Sequence, residues 1–152
     1  MKFLLIAQAP SENTRALRDA ALASLTRHAG PQSEVILKAP QEVGLTDLEG
    51  CDGLLLGTLE NIGALAGLTK DMFDRLYNPW LGQYEGLPVA IYIRAGLDGT
   101  ATKRTLTSIA GALSWRLIQE PVILHGPYQE HFNDDVAELA AILAAGVEAG
   151  IY

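Results

Sequence analysis

The chain has 152 residues, enough for one domain that buries a continuous core, roughly 68–70% of its unfolded surface at this size. Hydrophobic residues make up 49% and charged residues 19%, a composition far from that of disordered chains. The formal net charge of −7 excludes nucleic acid and anionic membrane as main partners.

Cys51 is the single cysteine, so neither an internal disulfide nor a cysteine-based zinc site can form. Apolar runs stay short of the ~18 residues that a membrane-spanning helix needs. The opening Phe3-Leu4-Leu5-Ile6-Ala7 is too brief for a secretory signal core, and the simplest expectation is a reducing, cytoplasmic setting.

Taken in order, residues 2–8 read as a central parallel strand. Ala9 to Thr14 form a loop, and a helix follows over 13–29, with Leu17, Ala21 and Leu25 on one stripe, Ser11 as its N-cap and Gly30-Pro31 as its stop. Glu34-Val35-Ile36-Leu37 is a short strand, and 38–49 a polar connection with at most one helical turn. Residues 52–57 form the third strand. A polar, glycine-containing turn at 58–63 then opens a helix whose apolar positions Leu65, Leu68, Met72, Phe73 and Leu76 share one face, ending near Asn78-Pro79.

Residues 88–94 form the fourth strand, followed by a second glycine-rich turn at 95–100 and a helix over 101–115 that faces inward with Leu106, Ile109, Ala110 and Leu113. The fifth strand lies within 116–124, where Pro121 requires an edge position or a bulge. The last helix, 132–149, buries Val136, Leu139, Ala140, Leu143 and Val147. This alternation predicts a single α/β domain over 1–152: a three-layer sandwich around a five-stranded parallel sheet of order 2-1-3-4-5.

In such sheets ligands bind beyond the carboxyl ends of the strands, where three turns of unusual composition converge: 8–14, 58–63 and 95–100. Ser11, Asn13 and Thr14 suit two roles, capping the first helix or adding donors to a phosphate site at its positive end. Asn61 offers an amide to the polar edge of a planar heterocycle, while Gly57 and Gly63 serve equally well as plain bends. Asp98 reads either as an N-cap or as a wall of the same cleft, and Arg94 as an anion contact. Lys103 and Arg104 fit a solvated helix surface or recognition of a second, anionic ligand. Tyr77, Trp80 and Tyr84 suit packing, a subunit interface or cover for a flat ligand. His28, His125 and His131 have no metal-ligand spacing, and no serine–histidine–acid set can be assembled.

With these residues in view the chain resembles the flavodoxin-fold, FMN-dependent NAD(P)H oxidoreductases that reduce quinones. The matching stretches are Ser11-Glu12-Asn13-Thr14, Gly57-Thr58-Leu59-Glu60-Asn61-Ile62-Gly63 with Lys70-Asp71-Met72-Phe73-Asp74-Arg75, and Arg94-Ala95-Gly96-Leu97-Asp98-Gly99-Thr100. The resemblance implies that Ser11, Asn13 and Thr14 bind the FMN phosphate. It places Thr58, Leu59, Glu60, Asn61, Ile62 and Gly63 at the isoalloxazine, with Arg94, Ala95, Gly96 and Asp98 on its far side. It further implies NAD(P)H as co-substrate, a quinone or similar acceptor, no essential side-chain acid or base, and a homodimer; an electron carrier, or a binding protein without FMN, are the other functions the fold supports. Ala9 and Glu12 depart from the family's hydroxyl and glycine, and Leu59 from a common proline. A missing hydroxyl and an added carboxylate weaken phosphate binding by ~1–3 kcal/mol together.

Overall fold

A computed structural model describes all residues, 1–152. In chain order the elements are β1 (Lys2–Ala7), α1 (Glu12–Ala29), β2 (Glu34–Lys38), β3 (Gly53–Asn61), β4 (Ala64–Leu65), α2 (Gly67–Trp80), β5 (Pro88–Ala95), α3 (Thr100–Ala112), β6 (Arg116–Leu117), β7 (Val122–His125) and α4 (His131–Glu148). A 3-10 turn at Pro40–Glu42 is the only helical structure between β2 and β3.

The parallel sheet runs β2-β1-β3-β5, and β6 and β7 share the far edge of β5. The main strands thus follow the order expected from the sequence, with the fifth strand split in two. Between the paired residues Val89↔Leu117 and Tyr92↔Val122, β5 has two residues and its partner has four, 118–121. The surplus is a bulge around Pro121, which has no N–H to give to the ladder.

Alternation along the central strands sends side chains to two cores. Leu4, Ile6, Leu54, Leu56, Val89, Ile91 and Ile93 face α2 and α3. Phe3, Leu5, Leu55, Ala90 and Tyr92 face α1 and α4, which pack closely on each other. Every one of these strand residues is 3% exposed or less, so the central strands are near-continuous apolar runs, as burial on both faces demands. Trp115 packs on Phe73 and Trp80 in the α2–α3 core, and its indole N–H is buried without a partner.

Four expectations are corrected. Residues 58–61 are not a turn but the continuation of β3, because Thr58 to Glu60 pair with Ile93 to Ala95 and Asn61 pairs back with Ala64. The buried stripe of α2 is Thr69, Met72, Phe73, Leu76 and Trp80; Leu65 belongs to β4 and Leu68 is exposed. α3 stops at Ala112 rather than at 115. Gly57 is no bend: it lies inside β3, where an added Cβ would stand 2.1 Å from Cζ of Tyr92. The missing side chain lets the Tyr92 ring lie flat across the neighbouring strand, and burial there pushes the phenol pKa up, keeping it neutral.

Asp47 secures the long connection after β2, accepting from the Gly44 N–H at 2.7 Å and from Lys38 Nζ at 2.7 Å. Burial alone would raise its pKa, but the Gly44 and Lys38 bonds outweigh it and hold the carboxyl below its ordinary 3.8.

Two outcomes are expected. Gly57→Ala overpacks the Tyr92 contact and lowers unfolding free energy by about 1–3 kcal/mol in denaturant melts, with partial recovery on adding Tyr92→Leu. The Asp47 contribution is complete above the unfolded pKa and lost as pH falls through the lower folded value. Stability profiles of the wild type and Asp47→Asn should therefore converge on acidification below about 3.8.

Candidate functional site

The carboxyl edge gathers three segments: the loop between β1 and α1, the β3–β4 hairpin, and the loop between β5 and α3. In the first, Ser11 caps α1. Its Oγ accepts from the Thr14 N–H at 3.2 Å, and its own N–H donates to Thr14 Oγ1 at 2.9 Å. Both sequence readings of this loop rest on the same atoms, and the helix cap is the role these bonds show. The backbone N–H groups of Ala9, Glu12 and Asn13 have no partner in the chain, so three donors stay open around the positive end of an 18-residue helix. Pro10 contributes none. Ser11, Glu12 and Asn13 are exposed, and Thr14 is buried.

A cavity of about 210 Å³ adjoins this loop, lined among others by Gln8, Ala9, Pro10, Arg18, Gln41 and Leu68. The sequence reading passed over Gln8. Thr69 Oγ1 donates to Gln8 Oε1 at 2.7 Å, which leaves Thr58 as donor to Thr69, also at 2.7 Å. This chain of bonds fixes the Gln8 amide with its nitrogen free. Arg18 lines the same cavity, with its guanidinium paired to the exposed Asp19.

The second segment is a hairpin with Ile62 and Gly63 at its tip, both at positive φ, 52° and 72°. That geometry is the two-residue turn favoured between twisted strands, and it suits Gly63. Ile62 is β-branched, and holding it there costs of order 1–2 kcal/mol. The side chain it holds out is fully exposed. Asn61 beside it is exposed and its amide has no partner.

The remaining residues expected in this segment turn elsewhere. Thr58 and Leu59 are buried at 1% and 6% exposure. Glu60 reaches across to α3, accepting from the Gly99 N–H at 3.2 Å, the Thr102 N–H at 3.1 Å and the Thr102 hydroxyl at 2.8 Å. It caps that helix from another strand, since α3 begins at Gly99, a residue at φ 72° with no capping side chain of its own.

In the third segment Asp98 is one residue too early to be the N-cap. Its Oδ1 accepts from the Thr100 N–H and hydroxyl, both at 3.0 Å, and these bonds hold its pKa below the usual range. Arg94 is engaged with the backbone. Its guanidinium donates to the carbonyls of Ala95, Leu124 and Gly126 at 2.7–2.9 Å and lies over the Phe132 ring. It fastens β5 to the end of β7. Gly96 and Leu97 are exposed, Leu97 at 79%, while Ala95 is buried. Leu97, like Gln8, escaped the sequence reading; its signal was a large apolar residue between glycines in a ligand-edge loop.

Trp80 and Tyr84 lie at the opposite edge. Trp80 is 1% exposed, and both residues donate to the Leu45 carbonyl, so they neither cover the carboxyl edge nor form an outer aromatic face.

No protein-family model matches the chain. No curated protein matches it either. Solved structures do. A flavodoxin from the domain Archaea superposes with a TM-score of 0.79 at 17% identity, covering 97% of this chain and 99% of that one. The fold is that of the flavodoxins. A flavodoxin described as WrbA-like, from Agrobacterium tumefaciens, gives a TM-score of 0.76 at 15% identity over 97% of both chains. An oxidoreductase from Corynebacterium diphtheriae gives 0.69 at 20% identity, again over 97% of both. At these identities the likeness establishes the flavodoxin fold; chemistry has to come from the residues at its carboxyl edge.

Those residues meet the donor requirement of a phosphate-bearing heterocycle: open N–H groups at a helix start and a free amide at Asn61, with the exposed apolar side chains Ile62 and Leu97 on two of the same segments. No helix is long and apolar enough to cross a membrane.

Replacing Ile62 by Gly removes the turn strain and should raise unfolding free energy by about 1 kcal/mol, read by chemical denaturation. A fall of that size would show that the turn is unstrained.

Proposed function

We propose that the protein is an FMN-binding redox protein whose cofactor lies along the carboxyl edge. The observation that carries this reading is the coincidence of open donors, a free Asn61 amide and two exposed aliphatic side chains at the ligand edge of a flavodoxin fold. FMN supplies the redox chemistry by accepting and passing on electrons, and the chain supplies binding, orientation and shielding. The N–H groups of Ala9, Glu12 and Asn13, with the Ser11 hydroxyl, hold the phosphate at the start of α1. Asn61 and Gly63 meet the polar edge of the ring system, Ile62 and Leu97 flank its faces, and Gly96 permits close approach. Glu60, Asp98 and Arg94 act indirectly, by fixing the loops.

The phosphate end is the weaker one, because Pro10 and Ala9 each remove a donor and Glu12 adds a negative charge.

Within this reading the protein works as an electron carrier. What supports it is the near-complete match, end to end, with a single-domain flavodoxin. The second reading is reduction of a quinone or similar acceptor by NAD(P)H, and it is supported by the comparable match to an oxidoreductase of the same size. In either case a cytoplasmic setting fits, and a second copy of the chain would roof the cleft.

FMN added to the purified protein should lose its fluorescence on binding at micromolar concentration, and Glu12→Gly should tighten binding by up to about tenfold. An unquenched titration would overturn the proposal. FMN-loaded protein should accept electrons from a separate reductase without oxidising NAD(P)H in the presence of a quinone; steady-state NAD(P)H turnover would favour the second reading.

A further inference from the structure

The largest cavity in the protein is not at the carboxyl edge. It is an open groove of about 590 Å³ between α2 and α3, within the usual volume of small-molecule sites. Whereas α1 and α4 pack closely, α2 and α3 stand apart, and the groove occupies the space between them.

Its walls combine apolar surface with donors that no group of the chain engages. Phe73, 3% exposed, and the half-buried Tyr77 lie one turn apart on α2, and the half-buried Ile109 faces them from α3. The Tyr77 hydroxyl, the Asn78 amide, the Arg104 guanidinium and the Ser108 hydroxyl all line the groove, and none has a hydrogen-bond partner in the chain. The neighbouring cations are already engaged: Lys103 pairs with Glu120 at 2.7 Å, and Lys70, on the rim, pairs with Asp74. Of the three charged residues lining the groove, Lys70 and Asp74 cancel and Arg104 leaves one positive charge, on a chain whose net charge is −7.

We propose that this groove is a second ligand site, separate from the flavin cleft, for a small planar aromatic anion. The ring would rest on Phe73, Tyr77 and Ile109, and the anionic group would meet Arg104, with Asn78 or Ser108 as a further donor. The α2 residues that line the groove span Lys70 to Asn78, about 12 Å of helix at 1.5 Å per residue. That length suits a molecule of two or three fused rings and is short for a protein interface of about 800 Å² per side. None of the lining residues belongs to the three carboxyl-edge segments, so the proposal stands whether or not FMN binds.

The test is a titration of the whole protein with 2-naphthoate, followed by amide chemical shifts, with and without excess FMN. Saturable binding is expected at sub-millimolar to millimolar concentration, with shifts centred on Tyr77, Asn78, Arg104 and Ser108. Arg104→Gln, at an exposed position, should fold normally and weaken binding about tenfold, and neutral 2-naphthamide should bind about as weakly to the wild type. Ser108→Trp, which fills the groove, should abolish binding. The proposal is overturned by the absence of saturable binding at about 5 mM, by equal affinity for naphthoate and naphthamide, by indifference to both substitutions, or by shifts centred on the carboxyl-edge loops instead of on the groove.

Discussion

The carboxyl edge of this protein is held in shape by one carboxylate. Glu60 stands at the end of β3, yet its acceptors serve the first turn of α3, a helix that starts from a glycine and cannot cap itself. Because the same residue opens the β3–β4 hairpin, the hairpin and the β5–α3 loop are bound to each other before any ligand arrives. Arg94 does the corresponding work on the far side, joining β5 to the end of β7 through three carbonyls. Between them these two charged residues leave Asn61, Ile62, Gly96 and Leu97 as the groups that face outward. Preorganisation of this sort lowers the ordering cost of binding.

Much of the architecture was legible from the chain. Runs such as Phe3 to Ala7 and Gly53 to Leu56 are apolar at every position, which in a strand means cover on both faces, and Pro121 marked the irregular edge correctly. What escaped was long-range. Whether 58–61 turns or stays extended depends on β5 running alongside it, and nothing local in Thr58-Leu59-Glu60 encodes that neighbour. Leu68 looked apolar enough to join a buried stripe, but the helix begins so close to the sheet edge that Thr69 takes the inward position and bonds to Thr58.

The candidate site was legible as a place and less so as a set of side chains. Composition identified the three loops, since glycines, short polar residues and helix starts mark ligand edges irrespective of tertiary detail. Side-chain roles within them depend on which partner arrives first. Glu60 is expected as a ligand contact through the family resemblance and Arg94 through its place at a strand end beside the cleft; in the fold Glu60 bonds to the start of α3 and Arg94 to backbone carbonyls. Gly57 misled in the other direction. Its lack of a side chain reflects the Tyr92 ring on the neighbouring strand rather than any bend.

The position of β2 bears on self-association. The strand order makes it an outer strand with one row of backbone groups unpaired, the template on which aggregation begins. The strand is five residues long, starts at Glu34 and ends at Lys38, and sits between Pro31 and Pro40. A neighbouring molecule that tried to extend the sheet here would meet a proline beyond each end. The exposed edge is thus kept brief and bounded by prolines, which limits the pairing that a second chain could make there.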